Sequence, residues 1–128
     1  QEDAAFYAEA AFYTGLMQWQ RQNYEQALAV LRPLAEDLKL TSVYNTLGAI
    51  AVQAAREEKK NKGVSDKLLN EGIGYLKKAA ESAPDEAKFR FNYGLALFLN
   101  KNYKEAAEQF RAILPANPQD GEAYFALA

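Results

Sequence analysis

Neither cysteine nor histidine occurs anywhere in the 128 residues of this chain. Without histidine the commonest general base and metal ligand is gone, and without cysteine there is no thiolate nucleophile, zinc-thiolate site or disulfide. His-Cys-carboxylate clusters are therefore excluded, no metal or cofactor is expected, and the chain reads as a non-enzyme. The missing cysteines also leave the compartment open, with cytoplasm and periplasm both compatible. An excess of positive charge is lacking too. Fifteen Lys and Arg stand against 17 Asp and Glu, a net charge of -2 with pI ≈ 5.2, so there is no electropositive field to hold a phosphate backbone or an anionic lipid surface. Nucleic acid is not an expected partner. No window approaches 18 uncharged apolar residues, and Gln1-Glu2-Asp3 begins acidic, so neither direct membrane insertion nor a secretory signal is expected. The absent initiator Met leaves room for a removed leader or an upstream domain, and the chain is expected to be a fragment of a longer one.

Against these absences stand 49% hydrophobic and 25% charged residues, the balance of an ordinary soluble globular domain, and the length suits one such domain. The stretch "NYKEAAEQF", Asn102 to Phe110, repeats the pattern of "NYEQALAVL", Asn23 to Leu31, at a distance of 79 residues. Each copy follows a glycine by a fixed interval, Gly15 before Tyr24 and Gly94 before Tyr103. Between them Gly48, in "VYNTLGAIA", falls 33 residues after Gly15 and 46 before Gly94. The middle unit thus has the same design with about a dozen extra residues, and Gly72, Leu76 and Ala79 take the places of Ala106, Phe110 and Ile113. "GEAYFALA", Gly121 to Ala128, opens a fourth unit that the chain does not complete.

Apolar residues recur at three- and four-residue intervals, as in Leu28, Leu31, Leu34 and Ala35, which is the helical period. Helices are expected near residues 3–20, 23–37, 41–60, 66–82, 86–99, 103–115 and 120–128. Pro33 and Pro115 are expected to tighten or end the last turns of their helices, and Ala83-Pro84-Asp85 and Asn117-Pro118-Gln119-Asp120 read as stop and restart signals. The extra residues, "AAREEKKNKGVSDKLLNEG", should lengthen one helix to about Lys60, break at Asn61-Lys62-Gly63, and restart with Ser65 or Asp66 as N-cap. A projecting, solvated hairpin is expected there, with Glu58 and Lys62 at a favourable pairing distance; a contact to another domain or an acidic partner is the other reading.

Candidate chemistry is sparse. Glu57-Glu58, Glu36-Asp37 and Asp85-Glu86 read as solvated faces or helix starts. Gly72-x-Gly74 is a fragment of a phosphate-loop pattern, but no strand precedes it and it lies in a helix, so the loop-to-helix geometry that cradles phosphate is missing.

The repeats resemble the tetratricopeptide family, a 34-residue helix-turn-helix with the pattern W-x2-L-G-x2-Y, then A-x3-F, then P. Tyr44, Leu47, Gly48, Gly72, Leu76 and Pro84 follow it in the second unit. Tyr93, Gly94, Leu97, Ala106, Phe110 and Pro118 follow it in the third, where Arg90 replaces the large aromatic. Gly15, Ala27 and Leu31 follow it in the first, which lacks the closing Pro, and Tyr124 with Leu127 opens the fourth. The resemblance implies an all-α fold, a right-handed α-solenoid of antiparallel helix pairs in one domain over 1–128. Its units would be about 8–40, 41–86, 87–120 and a partial 121–128.

Small residues on both helices of a unit, Gly15, Gly48 and Gly94 facing Ala27, Gly72 and Ala106, should allow close helix approach. Tyr24, Leu31, Leu47, Leu76, Tyr103 and Phe110 should fill the space between units. The resemblance also implies a function, a protein-interaction scaffold whose first helices line a concave groove. Here that groove would comprise Phe12, Tyr13, Leu16 and Trp19, then Asn45, Thr46, Ala49 and Gln53, then Lys88, Phe91, Asn92, Leu95 and Phe98, and finally Phe125. Relatives that capture acidic chaperone tails carry Lys and Asn where this chain has Phe12 and Leu16, and Arg where it has Asn92. A two-carboxylate clamp is therefore not expected, although Lys88 matches one of its basic places. For Trp19, packing against the next helix and contact with a ligand are both open. The apolar lining favours an amphipathic helix over an extended anionic peptide. Two alternatives remain: self-association through the open C-terminal end, where Tyr124, Phe125 and Leu127 lack a covering helix, and a regulatory role within a larger enzyme or assembly protein.

Overall fold

The computed structural model describes residues 2–114, with side chains from residue 6 onward, and among these every regular element is a helix. They are α1 (Glu2–Gln20), α2 (Tyr24–Leu38), α3 (Thr41–Glu57), α4 (Lys62–Ser82), α5 (Ala87–Leu99) and α6 (Tyr103–Ile113). The helix expected over 120–128, Pro115 and Phe125 lie outside the described residues. Helices pair in chain order, α1 with α2, α3 with α4 and α5 with α6, and successive pairs stack through α2 on α3 and α4 on α5. This is an α-solenoid of helix pairs, and it follows from short connections joining helices that each carry one apolar face.

The turns inside the first and third pairs are built alike. Gln22 and Lys101 both adopt positive φ, 64° and 66°, and Asn23 and Asn102 donate their backbone N–H to Gln18 and Leu97 at 2.8 Å. Lys39, φ 52°, closes α2 in the same left-handed conformation and donates its N–H to Ala35.

Two buried clusters make the core. One joins Ala27, Leu28, Leu31, Leu34 and Ala35 of α2 to Val43, Leu47, Ile50, Ala51 and Ala54 of α3. The other joins Val52 of α3 and Leu76, Ala79 and Ala80 of α4 to Phe89, Tyr93, Ala96 and Leu97 of α5 and Ala106 of α6. Each large aliphatic buried in this way contributes roughly 1.5–3 kcal/mol.

The small residues act in two ways. At Gly48 and Gly72 two backbones meet: a Cβ on Gly48 would lie 3.1 Å from the Gly72 carbonyl oxygen, and one on Gly72 would lie 3.0 Å from that of Gly48. At Gly15 and Gly94 the facing group is instead the large side chain of the partner helix, Leu31 or Phe110, at 2.6 and 2.8 Å from the same imagined Cβ. Glycine there makes room for a knob within its own unit, so Leu31 and Phe110 fill intra-unit space as well as the stack.

Several local expectations are corrected. Pro33 does not end α2; it sits on the exposed side with the helix running on to Leu38, because the carbonyl it leaves unbonded, four residues earlier at exposed Ala29, can be solvated. α3 stops at Glu57, not Lys60, and Asn61, not Ser65 or Asp66, caps α4 by accepting the Val64 N–H at 3.0 Å. Glu58 does not pair with Lys62. Its carboxylate instead accepts the backbone N–H groups of Lys60 and Asn61, at 2.9 and 3.2 Å, and Lys62 pairs with Asp66 at 3.2 Å. The unpaired backbone donors of a tight break outcompete a flexible surface lysine for the carboxylate. Ser65 is used to bind the two helices of the hairpin, donating its hydroxyl to the Ala55 carbonyl at 2.7 Å. Tyr103 is 56% exposed and packs edge-on against Phe98 rather than filling the stack.

Candidate functional site

The first helices α1, α3 and α5 share one side of the stack, and a cleft with a volume of ≈ 490 Å³ opens between them. Of the residues expected to line a groove, five meet there: Trp19 from α1, Ala49 and Gln53 from α3, and Asn92 and Leu95 from α5. Apolar side chains of Val52, Leu76, Ala96 and Leu99 complete the floor, and Arg56, Glu57 and Lys59 give one end a charged rim. The sequence pattern held a signal for these last residues. Arg56 and Glu57 follow Gln53 by three and four positions on α3, and Leu99 follows Leu95 by four, so each pair shares a helix face.

Hydrogen bonds fix the polar members of the lining. The Trp19 indole N–H donates to Gln53 Oε1 at 2.8 Å, tying α1 to α3. Gln53 Nε2 donates to the Tyr24 hydroxyl at 3.1 Å, and that hydroxyl donates in turn to the Glu57 carboxylate. Acceptance of the Tyr24 proton by Glu57 raises the Tyr24 pKa above its ordinary value. Trp19 packs partly buried against the first core cluster and is also part of the cleft lining. Between α3 and α5, Asn92 Nδ2 donates to Asn45 Oδ1 at 3.1 Å, which brings Asn45 beside the cleft floor. The half-buried amides of Gln53, Asn45 and Asn92 form a polar line along an otherwise apolar surface.

The other expected residues lie elsewhere. Phe12 is half-buried against the first core cluster. Phe91 turns toward α6, its ring 5.7 Å from that of Phe110, so its removal would first disturb the α5–α6 pair. Leu16 and Thr46 are half-buried and outside the cleft lining. Tyr13 and Phe98 are largely exposed, the latter on the same helix as Leu95 and Leu99. Lys88 lies over the Phe89 ring, 5.3 Å from its centre, away from the cleft. Arg90, in the place of the family's large aromatic, takes a structural role: Nε donates to the Pro84 carbonyl at 2.6 Å and Nη1 to Gln109 Oε1 at 3.1 Å, joining the turn before α5 to α6.

A second, wider cleft of ≈ 920 Å³ lies between the second helices α2 and α4. Arg32 spans it with a two-point ion pair to Glu71, 2.7 Å from Nε and 2.9 Å from Nη2. The Glu71 carboxylate raises the Arg32 pKa, so the guanidinium stays charged throughout the accessible range. Among the described residues no group of acidic side chains is arranged to hold a metal ion, and no helix is long and apolar enough to cross a membrane.

The fold is shared with solved structures. One is the MamA RS-1 ArsTM double mutant, at TM-score 0.68 and 23% identity, covering 91% of this chain and 57% of that one. MamA 41-end from Desulfovibrio magneticus RS-1 gives TM-score 0.65 and 25% identity over 80% of this chain and 52% of the other. The Yersinia enterocolitica type III secretion translocator chaperone SycD gives TM-score 0.64 and 18% identity, covering 91% of this chain and 81% of its own. The chain thus spans little more than half the length of these MamA structures. No curated protein matches it. Residues 69–121 match the family model described as tetratricopeptide repeat. That match falls on the third helix pair and the helix before it, and the same pairing recurs through α1 to α4, so the chain is similar to tetratricopeptide repeat proteins, in sequence over 69–121 and in fold across its described helices.

Proposed function

We propose that this chain is a non-catalytic protein-interaction scaffold that receives a peptide or a helix in the cleft between α1, α3 and α5. The observation that carries the reading is the lining itself: Trp19, Leu95 and Leu99 surround a line of hydrogen-bonded amides, with charge confined to one rim. Apolar anchors supply binding energy where a partner side chain is desolvated, and amides held by neighbours present donors and acceptors without further ordering cost. The absence of histidine and cysteine from the whole sequence supports a non-catalytic role. SycD, of similar fold, is a translocator chaperone, which is consistent with a role in holding another protein. The four-unit division of a single domain over 1–128 belongs to the same proposal.

The test uses peptides selected against the chain from a random display library. Leu95 is 38% exposed, so Leu95→Arg leaves the fold intact while placing a charge in the cleft. Binding should weaken at least about tenfold in Leu95→Arg, change little in Lys88→Ala, and persist in about 0.5 M salt. Binding that Leu95→Arg leaves untouched, or that salt and Lys88→Ala abolish, would overturn the apolar cleft.

A further inference from the structure

The cleft between α1, α3 and α5 differs along its length. Towards the ends of α3 and α5, Arg56, Glu57 and Lys59 rim the space that Trp19 and Leu99 line, and hydrogen bonding engages the acids of this segment but not its cations. The Glu57 carboxylate accepts the Tyr24 hydroxyl, itself held by Gln53 Nε2 at 3.1 Å. Glu58 is folded onto the backbone N–H groups of Lys60 and Asn61. Arg56 and Lys59 are exposed, and among the described residues neither meets a carboxylate, the ion pairs there being Arg32 with Glu71 and Lys62 with Asp66. Two cations are thus left beside an apolar lining.

Charge just beyond the lining adds to this. Lys60 follows Lys59, and the turns that end α1 and α5 carry Arg21 and Lys101. Of the second helices that begin at this end, α2 opens with Glu25 and α6 with Lys104 and Glu105, and neither helix lines the cleft. The repeat register gives the spacing. Gln53 and Leu99 each lie five residues after the glycine of their helix, Gly48 or Gly94, and Trp19 lies four after Gly15, so the three sit at nearly one level. Arg56 is three residues further along α3, a rise of about 4.5 Å.

We infer that the cleft takes an apolar helical segment of a partner protein that carries an Asp or Glu three or four residues from the side chain seated over Trp19 and Leu99, the carboxylate meeting Arg56 and Lys59. This rests on the cleft being the binding surface, and it adds the charge that the partner must bring. Exposed ion pairs are individually weak, so the carboxylate sets the choice of partner more than the total affinity. Lys88 takes no part, since it lies over the Phe89 ring away from the cleft. A net charge of -2 over the chain gives no wider field for a phosphate backbone or an anionic membrane.

The experiment uses peptides selected on the chain from a random display library, each compared with a twin in which the acidic residue is replaced by its amide. Trp19 is the sole tryptophan, so its fluorescence reports filling of the cleft without a label. Selected sequences should be enriched in Asp or Glu three or four residues from a large apolar residue. Amide replacement should weaken binding about three- to tenfold at low salt, and less than about twofold in about 0.5 M salt. In the double variant Arg56→Gln with Lys59→Gln the twins should bind alike, and selection repeated on Arg56→Glu with Lys59→Glu should recover Lys or Arg at the same spacing. Both positions are exposed, so circular dichroism should be unchanged. Peptides that lose binding to Leu95→Arg yet show no acidic preference, or twins that still differ on the Gln double variant, would overturn the inference and leave the cleft standing. Peptides indifferent to Leu95→Arg, or a selection that yields none, would remove the cleft as the binding surface and the inference with it.

Discussion

At the scale of single residues, the glycines separate two effects that substitution usually mixes. A methyl group at Gly74 meets nothing within 4 Å, so Gly74→Ala should stabilise the chain by roughly 0.5–1 kcal/mol through helix propensity alone. The same change at Gly48 drives a Cβ to 2.7 Å from Leu76 Cγ and 3.1 Å from the Gly72 carbonyl, and overpacking of this kind costs roughly 1–3 kcal/mol. Urea denaturation of the two variants should therefore move the midpoint in opposite directions, and a shift of the same sign would show that the α3–α4 approach is not close. The tyrosines give a second residue-level prediction. Burial raises the pKa of Tyr75 and Tyr93, and the bond to Glu57 raises that of Tyr24. An unfolded chain releases these protons near the ordinary value of about 10, before the folded chain does. Their contribution is thus intact below about pH 10 and lost as pH climbs through the higher folded values. Stability should stay level between about pH 7 and 9 and then fall, less steeply in Tyr93→Phe; a rise above about pH 10 would contradict the assigned direction.

At the scale of the helix, the cap of α4 is the sharpest local device. Asn61→Ala removes the acceptor for the Val64 N–H and should cost about 1 kcal/mol. Asp66→Ala breaks only an exposed pair with Lys62, whose side chains are 58% and 89% exposed, and should cost at most about 0.5 kcal/mol. Equal losses in thermal unfolding would mean that α4 starts elsewhere. The same segment shows why some features were legible and others were not. The existence and order of the helices could be read because periodic apolar positions such as Leu28, Leu31 and Leu34 must share a buried face. The break after Glu57 could not, because Asn61, Ser65 and Asp66 are all competent caps by type. The choice among them is made by contacts between helices, namely Ser65 reaching Ala55 and Glu58 folding over the turn. Pro33 misled for a related reason. Proline ends a helix only where the lost bond cannot be replaced by water, and sequence alone does not show which side of α2 faces solvent.

At the scale of the whole molecule, the stacking order determines which side chains become available. First helices lie side by side, so Trp19, Gln53, Asn92 and Leu95, far apart in sequence, converge on one cleft. The repeat register made that convergence foreseeable. What it could not supply was the rotation of each helix by a fraction of a turn, which points Leu95 into the cleft and Phe91 into Phe110. The most direct test of the cleft as the binding surface is backbone amide NMR of the labelled chain titrated with a library-selected peptide. Shift changes concentrated at Trp19, Ala49, Gln53, Asn92, Leu95 and Leu99, with α2 and α4 silent on their outer faces, are the predicted result. Changes confined to the α2–α4 side, around Arg32, Lys67 and Glu71, would contradict it.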